Sequence, residues 1–154
     1  MSYISLYLPL TPSISIYLLL TSSKRGLQHI NNMIKDIVLV GIGSGIGGIC
    51  RYLVSLAMSH VCNGFPWATF SVNVAGCLLI GILWGLTSRF QSISPTFTLF
   101  LMVGFCGGFT TFSTFSKEGL ALLQANNYML FVLYTIGSVV LGIAAVALGF
   151  LTTK

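Results

Sequence analysis

Four long apolar stretches alternate with short polar joints along most of the chain. They cover residues 34–58, 66–86, 95–116 and 128–150. Each is long enough to cross the hydrocarbon core of a bilayer as a helix, which takes about 20 residues. The joints carry the turn residues Asn63-Gly64, Gln91-Ser92 and Asn126-Asn127. Because an open sheet would leave backbone groups unpaired in lipid, the pattern predicts an all-α membrane protein with four transmembrane helices.

The composition supports lipid as the solvent of this chain. Only 6% of the 154 residues are charged and 55% are hydrophobic. A soluble domain carries about 25% charged residues, so a soluble enzyme is excluded and no room is left for a separate soluble domain. The seven basic residues form no run, which argues against nucleic-acid binding. The four cysteines form no CxxC pair, so neither a disulfide framework nor a cysteine metal site is predicted.

The first 32 residues differ from the rest. Their apolar part contains Pro9 and Pro12, and the positive charges Lys24 and Arg25 follow it, whereas a signal peptide has its charges before the apolar core. Met33 then opens a clean hydrophobic pattern and is predicted to be the functional start of the protein. We therefore predict an N-terminal extension outside the functional fold (1–32) and a four-helix transmembrane domain (33–154). A poorly structured extension and a fifth membrane segment are the alternatives.

The charge balance bears on orientation in the membrane, because an even number of spans puts both termini on one face. Counting from residue 33, that face holds three basic residues: Lys35, Arg89 and Lys154. The opposite face holds two: Arg51 and Lys117. The positive-inside rule needs a clear bias, so near balance predicts insertion in both orientations and an antiparallel, dual-topology dimer. If Lys24 and Arg25 also count, the balance is five against two and a single orientation follows.

The third apolar stretch contains a helix-weakening cluster. Gly104, Gly107 and Gly108 lie within five residues, and each weakens a helix by roughly 1 kcal/mol relative to Ala. Five hydroxyl residues follow: Thr110, Thr111, Ser113, Thr114 and Ser116. We predict that the third helix is broken in mid-membrane. The break would release backbone carbonyls, for which a small cation is a natural partner.

Two aromatic residues follow this break at helical spacing. Phe112 and Phe115 are three residues apart and therefore share one helix face. Their ring edges are electropositive, so beside hydroxyl donors they could replace part of the water around an anion without a fixed charge. Plain core packing of the two rings is the alternative.

Further polar residues lie within the other apolar stretches. Asn73 and Thr69, four residues apart on one helix face, either line a polar path or join helices. Tyr134 and Ser138 have the same spacing and could extend such a path. Arg51 either reaches the membrane surface as a long side chain or attracts anions at a vestibule.

Acidic residues and His are missing from the middle of every predicted span. Glu118 follows the third span and Asp36 opens the first. A proton-coupled exporter needs a titratable group within the membrane, so a passive path is favoured. The alternatives are a small multidrug exporter, which would need a carboxylate inside the first span, and a membrane assembly subunit that transports nothing.

Three strings resemble the motifs of one known family. The string from Gly104 to Phe115, GFCGGFTTFSTF, resembles the signature of the small fluoride channels of the Fluc family. The strings GGICRY (47–52) and TFSVNVAG (69–76) are similar to its first-helix and second-helix motifs. The resemblance covers residue 33 to the C-terminus and leaves the extension outside.

The resemblance implies a passive fluoride channel, not an enzyme, in the cell membrane. It implies an antiparallel dimer with two pores, formed by two copies or by this chain and a paralogue. It implies a structural Na⁺ at the dimer centre, held by the backbone carbonyls of Gly107 and Thr110. The implied anion path comprises Asn73, Phe112, Ser113, Phe115, Thr69, Tyr134 and Ser138. Arg51 and Glu118 are the implied charges at the vestibule and pore mouth, and Gly142 stands where the fourth-helix polar track would continue.

Overall fold

Helices make up the regular structure of the chain in a computed structural model, which describes residues 12–59, 64–90 and 92–153. The elements are α1 (Pro12–Ala57), α2 (Trp67–Arg89), α3 (Pro95–Thr98), a π-helical segment (Leu99–Cys106), α4 (Gly107–Phe109), α5 (Phe112–Gln124) and α6 (Tyr128–Thr153). Four helical stretches are long and apolar enough to cross a membrane: Ser23–Ala57, Trp67–Arg89, Pro95–Gln124 and Tyr128–Thr153. The prediction of four membrane helices is therefore confirmed.

The chain divides into two compact units, Met1–Lys35 and Asp36–Lys154. The first unit is helical from Pro12 onward, and Pro9 lies outside the described residues. Helix α1 thus begins well before residue 34, where the first span was expected to start. Pro12 suits the first position of a helix, and the chain offers no second proline before Ala57 to stop it.

The second and fourth spans pack closely through glycine. A Cβ atom on Gly81 would lie 2.9 Å from the Val146 Cα, and one on Gly149 would lie 2.7 Å from the Ile82 nitrogen. Near the ends of these helices the Thr153 hydroxyl donates to the Ile82 carbonyl at 3.2 Å. Such close backbone approach is how membrane helices gain packing energy where lipid offers no hydrophobic contrast.

Helix α1 has two pairs of glycines at four-residue spacing, Gly43/Gly47 and Gly41/Gly45, and packs on the third span through the first pair. Gly43 and Gly47 are buried, and a Cβ on Gly43 would lie 2.7 Å from the Phe100 carbonyl oxygen. The Ser44 hydroxyl donates to the Gly104 carbonyl at 3.3 Å across the same interface. Gly41 and Gly45 are exposed, and a Cβ at either would meet nothing within 4 Å. The second pair therefore takes no part in packing within the chain.

The third span is not a regular α-helix. Its π-helical segment leads into α4, which ends at Phe109. Thr110 (φ −78°, ψ 157°) and Thr111 (φ −149°, ψ 122°) are extended, and α5 begins at Phe112. The Thr111 hydroxyl caps α5 by accepting a hydrogen bond from the Thr114 amide at 3.2 Å. No sequence feature had indicated the π-helical geometry, which is often found near functional sites.

The predicted end of the third span at residue 116 is wrong. Helix α5 continues to Gln124, so Glu118 lies inside this span and does not follow it. The helix continues because residues 119–124 bury Gly119 and Leu122 and are mostly good helix formers. It ends where Asn126 takes the left-handed conformation (φ 57°), which Asn tolerates at a helix C-terminus.

Candidate functional site

Asn73 of α2 clamps the extended residues between α4 and α5. Its side-chain oxygen accepts from the Thr111 amide at 2.8 Å, and its side-chain nitrogen donates to the Thr111 carbonyl at 3.1 Å. The amide thus pairs both backbone groups of one residue that has left the helix. An unpaired backbone group in lipid costs several kcal/mol, so this pairing stabilises the extended conformation.

The same hydrogen bonds leave two carbonyl oxygens without their helical donors. In a continuous helix the Thr111 amide would donate to Gly107, but here it donates to Asn73. Likewise the Thr114 amide, which would pair with the Thr110 carbonyl, donates to the Thr111 hydroxyl. Gly107 is exposed, and a Cβ on it would meet nothing within 4 Å. These two carbonyls are the ones to which the family resemblance assigns a cation.

Arg51 lies at the same break. Its Nε donates to the Gly108 carbonyl at 3.2 Å, and the side chain is half-buried. The contact places a positive charge at the C-terminal end of α4, where the helix dipole is negative. The residue is therefore engaged inside the chain, and its role at a vestibule stays a prediction.

Glu118 connects the second, third and fourth spans. Its Oε1 accepts from the Thr69 hydroxyl at 2.9 Å, and its Oε2 accepts from the Tyr134 hydroxyl at 2.7 Å. Thr69 is 5% exposed and Tyr134 is fully buried. The two hydroxyls that the sequence placed on the polar path thus meet at one half-buried carboxylate, and both of their protons are donated to it.

A ladder of aromatic rings leads from the surface to this carboxylate. The ring centroids of Phe112 and Phe115 are 5.7 Å apart, and those of Phe115 and Tyr134 are 4.9 Å apart. Phe65, from the joint before α2, meets Tyr134 edge-on at 5.5 Å. Phe112 is 78% exposed, so core packing within the chain does not account for its position.

An open groove of about 230 Å³ lies beside the outer end of the ladder. Its lining residues come from the second and third spans: Asn73, Cys77, Ile80, Thr110, Thr111 and Phe112. None of these side chains carries a charge. The groove is open along one side.

Two serines complete the set of predicted site residues. Ser113 is exposed, and its hydroxyl lies 3.3 Å from the Thr111 hydroxyl. Ser138 is different, because its hydroxyl is the one buried side-chain polar atom among the described residues that lacks a hydrogen-bond partner. A buried polar atom without a partner calls for an explanation, and a transient ligand is one.

Three residues that contact the site or its supporting helices were not predicted from the sequence. Thr111 was seen only as one hydroxyl among several, although a Thr directly before a helical run is typical of an N-cap. Ser44 donates to the Gly104 carbonyl, and its position between Gly43 and Gly47 is the sequence signal that indicates a contact with a neighbouring helix. Phe65 lies in a joint, and no periodicity indicated that it packs on Tyr134.

Cation ligands of the usual side-chain kind are not clustered in the part of the chain that the structure describes. No group of three or more His, Cys, Asp or Glu residues is close enough there to hold a metal ion. Oxygen atoms of the backbone can bind hard cations such as Na⁺ or Ca²⁺. The free carbonyls at Gly107 and Thr110 therefore fit an ion of that class.

Comparison with known proteins points to the same family as the sequence motifs. The sequence model of the family described as "CrcB-like protein, Camphor Resistance (CrcB)" matches residues 38–150. A relative from Phocaeicola vulgatus, named "Fluoride-specific ion channel FluC", is 49% identical over 116 residues, which cover 75% of this chain and 95% of the relative. Relatives of the same name come from Azobacteroides pseudotrichonymphae (46% over 123 residues; 79% and 98%) and Chlorobium luteolum (48% over 119 residues; 77% and 92%).

Proposed function

The chain belongs to the CrcB-like family, and from this premise we propose that it is a fluoride-specific ion channel. It lies in the cell membrane as a multi-pass protein and conducts ions without catalysing a reaction. Its activity is passive export, which lowers the fluoride concentration of the cytoplasm and its toxicity. The curated relatives with this name are similar over nearly their whole length, which supports the transfer of the function.

The observation that carries this function is the exposed ring ladder beside an uncharged polar groove. Fluoride is small and strongly hydrated, so a path that admits it has to replace much of its water. The electropositive ring edges of Phe112 and Phe115 and the remaining amide proton of Asn73 can do so. A fixed positive charge in the groove would hold the ion too tightly, since conduction needs weak binding at several sites.

The rest of the path follows the polar residues around Glu118. Ser113 lies at the exposed end and the partnerless Ser138 hydroxyl in the interior. Thr69 and Tyr134 can donate to an ion only when they release the carboxylate, to which both are bonded. The anion would therefore move between hydroxyls that already have an alternative acceptor, which keeps each site weak.

The functional unit is an antiparallel, dual-topology dimer with two pores. The open side of the groove, the exposed Phe112 ring and the unfilled space at Gly107 support it, because a second chain could cover all three. In such a dimer the extended residues at Thr110 and Thr111 would lie at mid-membrane. The partner is either a second copy or a paralogue of the same fold.

A structural Na⁺ at the dimer centre fits the residues present. The Gly107 and Thr110 carbonyls would hold it, since both have lost their helical donors to Asn73 and Thr111. The ion would supply positive charge to carbonyl oxygens that otherwise lie unpaired in the membrane. Asn73 and Arg51 prepare this arrangement by holding the neighbouring backbone groups.

Export through a passive pore needs no energy source of its own. The inside-negative membrane potential drives a monovalent anion outward by about 2.3 kcal/mol per 100 mV. Hydrofluoric acid is a weak acid whose neutral form crosses lipid and ionises in a near-neutral cytoplasm. A channel for the anion therefore returns fluoride to the outside.

Growth on fluoride tests this function in cells. In bacteria that lack their own fluoride exporter, the full chain is expected to restore growth on fluoride, and the Phe112→Ile variant is expected to fail at equal membrane abundance. Phe97→Ile is the matched control, because Phe97 is exposed in the same span but lies away from the groove.

Two outcomes would contradict the function. No rescue by the abundant full chain, either alone or together with a copy that inserts in the opposite orientation, would favour an assembly subunit. Proton-driven uptake of organic cations into vesicles, without rescue on fluoride, would favour a multidrug exporter.

A further inference from the structure

The helical segment of residues 24–35 has two faces of opposite chemistry. At 100° per residue, its large apolar side chains fall on one arc: Leu27, Ile30, Met33 and Ile34. All four are exposed, by 48–60%. The other arc carries the basic and amide residues: Lys24, Arg25, Gln28, His29, Asn31, Asn32 and Lys35. A helix with a basic face and an apolar face is typical of a segment at a membrane surface.

The length of the helix agrees with a surface position. A membrane crossing uses about 20 residues, and residues 38–57 supply that number up to the end of α1 at Ala57. The residues before this stretch include Asn32, Lys35 and Asp36, which are too polar for hydrocarbon. The segment of residues 24–35 is therefore not needed for the membrane crossing.

The charge of this segment is of one sign. Residues 23–35 contain three basic side chains and no acidic one. All three lie within the roughly 15–20 residues of a membrane helix end over which Lys and Arg set orientation. The anionic headgroups of a cytoplasmic leaflet are the complementary surface, since they attract such side chains.

The opposite face of the membrane offers few basic residues that could favour the reverse orientation. The joints of residues 58–66 and 125–127 contain neither Lys nor Arg. Arg51, counted for that face, is bonded to the Gly108 carbonyl inside the span, and Lys117 lies within α5. The difference between the two faces in basic residues that can reach the headgroups is therefore larger in the structure than in a count of residues along the sequence.

We propose that residues 24–35 bind the anionic surface of the cytoplasmic leaflet and fix both termini of the chain in the cytoplasm. Copies of opposite orientation are then scarce. Given the antiparallel dimer proposed above, on which this last step rests, the partner of the full chain is a chain of the same fold with the opposite charge bias and not a second copy.

Orientation reporters fused to the C-terminus test the first step. For the full chain in bacterial cells, the cytoplasmic reporter is expected to exceed the periplasmic one by about tenfold or more. The triple variant Lys24→Gln, Arg25→Gln, Lys35→Gln is expected to bring the two signals within about threefold. The matched control Gln28→Asn, Asn31→Gln, Asn32→Gln changes the same arc without charge and is expected to keep the bias. Equal signals from the full chain, or no response to neutralisation, would overturn the proposal.

Thiol labelling tests what covers the apolar arc. In vesicles that contain phosphatidylglycerol, a water-soluble maleimide is expected to label the Ile30→Cys variant about fivefold more slowly than in pure phosphatidylcholine. Labelling of Gln28→Cys is expected to change little, with the native cysteines measured in the parent chain as background. Equal rates in the two lipids would contradict lipid binding. Protection that comes with crosslinks between copies would assign the arc to a second copy instead.

A flux measurement separates this proposal from the channel function. Reconstitution into vesicles inserts the chain from detergent without the orienting machinery of the cell. The full chain alone is therefore expected to release fluoride from such vesicles, whatever its orientation in cells. In cells, the full chain supplied with the triple neutralised variant, which inserts both ways, is expected to restore growth on fluoride better than the same amount of full chain alone. Loss of conduction in every combination would count against the channel, whereas equal growth with and without the added variant would count against the partner assignment.

Discussion

The α2–α6 pair and the third span use glycine in two different ways. In the pair, Gly81 and Gly149 sit in continuous helices and leave no space for a Cβ. In the third span, Gly107 has open space beside it and is followed within three residues by the extended Thr110. The difference comes from the neighbours, since Asn73 and Thr111 supply hydrogen bonds that replace those of a helix. In this chain, glycine in the α2–α6 pair allows close helix packing, whereas Gly107 precedes residues whose backbone groups bond to polar side chains.

The largest effect is expected where glycine packs helix on helix. Gly81→Val should abolish folding, because even its Cβ would press on backbone atoms of Val146 that cannot move aside, so the cost exceeds the roughly 1–3 kcal/mol that is typical of overpacking. Size-exclusion chromatography in mild detergent measures the folded fraction. Gly41→Val is the matched control, because a Cβ there meets nothing within 4 Å. A normal elution profile for Gly81→Val would contradict the close approach.

The next effect concerns the clamp on the third span. Asn73→Leu leaves the Thr111 amide and carbonyl without partners, which should cost about 2–4 kcal/mol and abolish fluoride flux. Thermal denaturation in detergent and efflux from vesicles measure the two losses. Thr87→Val is the control on the same helix, since Thr87 donates only to carbonyls of its own helix. Asn73→Asp keeps the acceptor but adds a negative charge beside the path, and unaltered flux through it would make Asn73 purely structural.

A smaller effect is expected at the rings. Phe112→Ile and Phe115→Ile remove the electropositive edges and should each reduce fluoride flux by about tenfold, a loss of roughly 1.4 kcal/mol of stabilisation along the path. Elution and thermal stability should change little for the exposed Phe112. Vesicle efflux with a fluoride electrode is the measurement, and flux equal to the parent chain would remove the rings from the path.

The smallest effect is expected at the carboxylate. Tyr134→Phe removes one of the two hydrogen bonds to Glu118 and keeps the ring stacking with Phe115, so stability should fall by about 1–2 kcal/mol. Thermal denaturation of Tyr134→Phe beside Tyr128→Phe gives the comparison, because Tyr128 is exposed and bonds only Asn126. Equal stability of the two variants would mean that the Glu118 contact contributes nothing to the fold.

The broad fold could be predicted because lipid imposes length and polarity on each span. The apolar runs locate four helices. The spacing of Thr69 and Asn73 predicts that they share one helix face, and in the structure both bond residues of the third span. The end of the third span could not be predicted from polarity. Glu118 looked like the start of a joint, but its charge is compensated by hydroxyls from two other helices, and such compensation depends on tertiary contacts.

Details of the backbone were also beyond the sequence. The π-helical segment Leu99–Cys106 packs against Gly43 and Ser44 of α1, and no residue pattern indicates its geometry. The pairing of Asn73 with Thr111 joins residues 38 positions apart. Either a structural or a pore-lining amide suited the sequence. The contact shows that Asn73 holds the backbone of Thr111, and one of its two amide protons takes no part in that contact.

Ion efflux from liposomes loaded with both fluoride and chloride tests the central claim most directly. The purified chain is reconstituted so that both orientations are present in the membrane. Fluoride-selective and chloride-selective electrodes follow the release of each ion after a potassium ionophore allows K⁺ to leave with the anion. Rapid loss of fluoride with retention of chloride is the predicted result. Retention of both ions, or release of chloride as fast as fluoride, would contradict a path built from neutral donors and ring edges.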